Sequence, residues 1–237
     1  MGHHIATTQW SQVLAARDGA DTEARAALEG LCRTYWRPLY AYVRHQGASP
    51  DEALDLTQGY FTELLEKDFL SDVDPAKGRF RSFLLVSLRN YLSHQHERVK
   101  ALKRGGGTSV LSLDSSEGEA TYSLRPADTM TPEQLYERRW AMTVLDRALD
   151  RLHQECRQAG NQAQFEQLRQ YLTSTEPQVP YREVGETLGM SEGAVATAVH
   201  RLRKQYGRCL RAEVAETVVD RAEVDDELRH LLGAVRQ

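Results

Sequence analysis

The chain has 237 residues, 41% of them hydrophobic, and a formal net charge of −4. That is enough for one large domain or two smaller ones with packed cores. No apolar run approaches the roughly 20 residues that cross a bilayer, and the opening MGHHIATTQW has no apolar signal core, so a cytoplasmic protein without a membrane partner is expected. Cys32, Cys156 and Cys209 are odd in number and far apart, which excludes a disulfide framework or a zinc spacing. They read as packed or incidental thiols.

Helical periodicity runs through the chain and no alternating strand pattern stands out. Residues 24–45 form an apolar-striped segment interrupted by Pro38, read as a kink or a break between two helices. Gly47–Pro50 is a turn. Ser49 caps the next helix with Pro50 at its first position, and that helix runs to about Phe69.

This second helix opens DEALDLTQGYFTELLE (51–66), a run crowded with carboxylates. At about 100° per residue, Asp51, Glu52, Asp55, Gln58, Gly59, Thr62 and Glu66 fall on one side and Ala53, Leu54, Leu56, Thr57, Tyr60, Phe61, Leu64 and Leu65 on the other. The carboxylates make a flat stripe rather than a convergent pocket. No His or Gly-rich phosphate loop joins them, so no catalytic residue, metal site or cofactor is expected. Periodicity alone leaves a solvated face and a partner surface both open.

After the loop 71–78, a helix from about Arg79 to Lys103 carries Phe80, Leu84, Leu88, Tyr91 and Leu92 on one side and Ser82, Arg89, Ser93 and His96 on another. A polar face with a basic end suits a nucleic-acid strand, and equally a core helix with a solvated side. Residues 105–131 are rich in Gly, Ser, Thr and Asp, too long without period for a loop in one domain. They read as a flexible acidic linker. Helical pattern resumes at 132–157 and 162–172, breaks at Pro177–Pro180, and continues as two short helices and an acidic helix near Glu223–Val235.

Charge is segregated. Basic residues cluster from Lys77 to Arg104 and from Arg201 to Arg211, with acids gathered elsewhere, a distribution that suits two places on one anionic polymer. The strongest local pattern is PYREVGETLGMSEGAVATAVHRLRK (180–204). Pro180 starts a helix, Gly189 supplies a left-handed turn, Ser191 caps the next helix, and Gly185 permits the close crossing. Val184, Leu188, Met190, Val195 and Ala198 fall where the two helices touch. This is a helix-turn-helix, whose second helix enters the major groove. Ala196, Thr197, His200, Arg201, Arg203 and Lys204 face outward, the early positions for base edges and the later cations for phosphates. A helical hairpin with a solvated basic end is the alternative.

Taken together, YWRPLYAYVR (35–44), DLTQGYFTELLEKDF (55–69), GRFRSFLLVSLRNYL (78–92), KRGGG (103–107) and YREVGETLGMSEGAVATAVHRLRK (181–204) resemble the sigma-70 family of bacterial RNA polymerase initiation factors, and within it the small extracytoplasmic-function (ECF) group. The resemblance implies an all-α chain: 1–104 as sigma region 2, 105–131 as linker, 132–212 as region 4 and 213–237 as an acidic C-terminal extension. It implies a non-enzymatic sigma factor that binds core RNA polymerase and directs initiation on promoter DNA. By motif position Lys77, Arg79, Arg81, Ser82, Arg89 and Asn90 fall in the minus-ten portion. Ser191, Ala196, Thr197, His200, Arg201, Arg203 and Lys204 fall in the minus-thirty-five portion.

The stripe Asp51, Glu52, Asp55, Gln58 and Glu66 matches the surface that docks on the coiled coil of the polymerase's largest subunit, and region 4 meets the flap region. Family members typically carry another acid where this chain has Leu54, and some groups with a weakened stripe are paired with Ser/Thr kinases, whose phosphate could restore the missing charge. Thr62, on the acidic face, and Thr57, on the apolar arc, are the candidates for modification. An anti-sigma factor is the other possible regulator. Thr57 reads first as a buried hydroxyl bonded to the carbonyl four residues back. Two rivals remain: a dimeric helix-turn-helix regulator, and a sigma-like sequestering protein. The polar segment between about Asp150 and Glu183 is longer than small sigma factors carry.

Overall fold

The computed structural model describes residues 22–66, 79–103, 130–173, 179–218 and 221–236. Among these every regular element is a helix, the all-α class expected. The loop 71–78 before Arg79, with Lys77 in it, and nearly all of the proposed linker lie outside the described residues. Two compact units form, Met1–Thr143 with Ala215–Gln237, and Val144–Val214. The first turns of the helix from Pro132, and the C-terminal extension, belong with the first unit.

In the first unit, α1 (Thr22–His45) runs unbroken through Pro38, so of the kink or break expected there the break is excluded. A mid-helix proline costs roughly 3 kcal/mol. Burial of Tyr35, Leu39, Tyr40, Tyr42 and Val43 around it, at about 1.5–3 kcal/mol per large apolar side chain, outweighs that loss. α2 (Pro50–Glu66) starts in a full capping box: Ser49 Oγ accepts from the Glu52 amide at 3.3 Å while Glu52 Oε2 accepts from the Ser49 amide at 3.0 Å. α3 (Phe80–Lys103) crosses α2 closely. A Cβ on Gly59 would stand 2.4 Å from the Tyr91 hydroxyl, and Tyr60 donates to the Leu84 carbonyl at 3.2 Å. Tyr35 meets Phe80 edge-on at 5.4 Å, so α1 closes the same core.

α4 (Pro132–Gln158) opens in a second capping box, Thr131 with Gln134. Its early residues Leu135, Tyr136, Trp140 and Ala141 are buried. Tyr136 donates to the Arg81 carbonyl at 3.0 Å, and burial raises its phenol well above the ordinary value. After a 3-10 turn at Arg221–Glu223, the last helix of the chain spans Val224–Arg236 and buries Val224, Glu227, Leu231 and Ala234.

In the second unit, the rest of α4 is joined by α5 (Gln162–Leu168), α6 (Gln170–Thr173), α7 (Tyr181–Leu188) and α8 (Glu192–Ala215); the terminal helix Val224–Arg236 is α9. The second of the two helices expected after Pro180 is not short but has 24 residues. Its C-terminal half buries Cys209, Leu210 and Val214, Tyr206 donates to the Leu145 carbonyl at 3.2 Å, and Glu213 pairs with Arg147 at 3.0 Å. These contacts along α4 continue the helix past the point where the basic stretch alone suggested an end. Burial, with Asp146 adding to it, pushes the Tyr206 phenol up to about 12, so it stays a neutral donor at physiological pH.

Candidate nucleic-acid interface

The α7–α8 pair is built as the sequence dictates. Pro180 is extended (φ −62°, ψ 146°) and starts α7, and Gly189 ends it at φ 65°, a left-handed conformation that glycine adopts without the Cβ penalty. The Met190 amide closes the turn on the Gly185 carbonyl at 2.8 Å. A Cβ at Gly185 would lie 2.5 Å from the Met190 carbonyl oxygen, backbone that cannot swing away. Ser191 Oγ accepts from the Ala194 amide at 3.3 Å, capping α8. Val184, Val195, Ala198, Val199 and Leu202 are buried, as the pattern required.

Ser191, Thr197, His200, Arg201, Arg203 and Lys204 are exposed, and Ala196 is half-buried. They are not equivalent. Arg203 donates through Nε and Nη2 to the Tyr171 carbonyl at 3.3 and 3.0 Å, which fastens α8 to the end of α6. Its guanidinium is thus engaged in joining two helices of the unit, a use that the outward angle on α8 could not reveal. Thr197 Oγ1 donates to the Gly193 carbonyl at 2.9 Å. Arg201 stands on the wall of a cleft of about 470 Å³ with Leu152, Cys156, Phe165, Leu168 and Leu202, which lies between α4, α5 and α8.

The first unit sorts its candidates more sharply. Ser82, Arg89 and Asn90 are exposed, and Arg89 lies 3.8 Å from Glu133. Arg81 is only 3% exposed. Its Nε meets Glu137 at 2.8 Å, its Nη1 pairs with Glu227 of α9, and its guanidinium lies 4.4 Å over the Trp140 ring. Burial lowers its pKa, opposed by Glu137. Arg79 Nη1 pairs with the other Glu227 oxygen at 2.6 Å. Arg81 is therefore no open DNA contact in this conformation. The signal was present, because positions 80, 81, 84, 85 and 88 share one helical face, yet motif position overrode it. The part played by Glu227, 0% exposed, was invisible, since the extension pairs with residues far away in sequence.

On α2, Asp51, Glu52, Asp55, Gln58 and Thr62 are exposed while Ala53, Leu54, Thr57, Tyr60, Phe61 and Leu64 are buried, the split that the angles required. The side chain of Glu66 lies outside the described residues. Glu52 also completes the capping box with Ser49, a second use that the sequence reading missed although S-x-x-E stands in the chain. Thr57 is 0% exposed, and its hydroxyl donates to the Ala53 carbonyl at 2.6 Å, the bond four residues back that was expected.

Among the described residues no group of three His, Cys, Asp or Glu could hold a metal ion, and no helix is long and apolar enough to cross a membrane. Cys156 and Cys209 are buried free thiols with pKa values raised by burial.

No protein-family model matches the chain, and no solved structure matches it. The chain is similar to the ECF RNA polymerase sigma factor SigE of Mycolicibacterium smegmatis, with 26% identity over 197 residues, 83% of this chain. It spans 66% of that relative's length, just under two thirds.

Proposed function

We propose that the chain is an ECF-type sigma factor, a non-enzymatic subunit that binds core RNA polymerase and directs it to promoters. The observation that carries this reading is the α7–α8 helix-turn-helix, with its Gly185 crossing, Gly189 turn and Ser191 cap presenting Thr197, His200 and Lys204 to solvent. The similarity to a named sigma factor and the second basic helix, α3, support it. In this reading α8 reads the minus-thirty-five duplex, with Ala196 and Thr197 near base edges and Lys204 on phosphate. The exposed face of α3 (Ser82, Arg89, Asn90) holds the minus-ten strand. The stripe Asp51, Asp55 and Gln58 docks on the coiled coil of the polymerase's largest subunit, where acidic charge sets register and on-rate. The cleft in the second unit, where Leu152, Phe165 and Leu202 stand beside Glu155, Gln164 and Arg201, is the place for a helix of the flap region.

Promoter retention tests the reading. Holoenzyme assembled from core polymerase and the full chain should select a discrete set of host DNA fragments, and Thr197→Ala with His200→Ala should lose that selection while keeping core binding. Tight retention of palindromic fragments by the chain alone would instead support a dimeric regulator.

A further inference from the structure

Arg79 and Arg81 are two basic residues of the α3 segment whose charges are not offered to solvent as a pair. The carboxylate of Glu227, fully buried in α9, spans them: Oε2 meets Arg79 Nη1 at 2.6 Å, and Oε1 meets Arg81 Nη1. Glu137 adds a second carboxylate on Arg81, and its Oε2 also meets His230 of α9 at 3.0 Å. A carboxylate whose two oxygens form ion pairs with two guanidiniums puts negative charge where a phosphodiester would put it. The helix that brings it is held by buried Val224, Leu231 and Ala234, and its exposed side carries Asp225 and Asp226, which would repel a strand passing over it.

We propose that α9 is an intramolecular competitor for the promoter strand: Glu227 occupies the Arg79–Arg81 phosphate position, and α9 leaves it when the minus-ten strand is captured. This rests on the sigma-factor reading, which assigns that position to the strand. Burial of Arg81 then describes the closed state, and the described conformation is the one that holds DNA weakly. Departure of Glu227 leaves Arg81 with Glu137 and removes from Arg79 the carboxylate at 2.6 Å, a gain of positive charge that a phosphate neutralises.

The test uses the full chain on purified core polymerase and a fluorescein-labelled single-stranded DNA oligonucleotide of random sequence, read by anisotropy. Glu227→Gln and Leu231→Asp should each tighten capture by about tenfold, the order of gain when a competing charge pair is lost, and should steepen its salt dependence. Equal capture by wild type and folded variants would overturn the competitor while leaving the sigma-factor reading intact. No capture by any form, with core binding retained, would contradict the sigma-factor reading and the competitor with it. Hydrogen exchange on the wild-type holoenzyme decides without any variant. Amides of 224–236 should exchange faster once DNA is bound, and unchanged or greater protection there overturns the proposal.

Discussion

Arg81 and Arg89 lie two helical turns apart on α3, were assigned the same role from the sequence, and differ in every physical respect. Arg81 is enclosed by Glu137, Glu227 and Trp140, whereas Arg89 is mostly exposed beside Glu133. Truncating one partner of a buried ion cluster costs about 3–5 kcal/mol, because the carboxylates left behind are uncompensated. A surface cation costs within about 0.5 kcal/mol. Arg81→Ala should therefore lower the urea midpoint strongly and Arg89→Ala hardly at all; similar midpoints would show that Arg81 is not the tie described. The threonines of α2 divide in the same way. Thr57 is sealed and bonded to Ala53, while Thr62 is exposed on the acidic side. For the kinase control expected from the sequence, intact-mass analysis of protein from its host should show an added phosphate that Thr62→Ala abolishes and Thr57→Ala does not. Phosphate on Thr57 would require α2 to open and would contradict this assignment.

At the scale of elements, legibility followed how local the cause was. The helix-turn-helix was readable because its determinants lie within one stretch: Gly185 for the crossing, Gly189 for the turn, Ser191 for the cap. The split of α2 was readable because burial follows a 100° repeat. Pro38 left a kink or a break open, since the energy that keeps α1 whole comes from tertiary burial of its neighbours, which local propensity does not contain. The length of α8 and the engagement of Arg203 with Tyr171 depended likewise on contacts with other helices. α2 yields its own prediction. Asp51→Asn with Asp55→Asn should weaken core-polymerase binding about tenfold or more without altering thermal stability. Glu52→Ala should also loosen the helix, at about 1 kcal/mol for the lost capping box. Unchanged core affinity in the Asp51/Asp55 double variant would remove the docking assignment from this face.

At the scale of the whole chain, the sequence indicated the all-α class and the acidity of the C-terminal extension, but not the place of that extension. The last helix completes the first unit through charges that only the folded chain brings together, so composition could show its acidity and not its target. The most direct measurement is run-off transcription with purified core polymerase and the full chain on host DNA fragments that the holoenzyme retains. A discrete product that appears only when the chain is added, and that disappears with Thr197→Ala and His200→Ala, is the predicted result. Stable core binding with no product from any retained fragment would contradict it and favour a sigma-like sequestering protein.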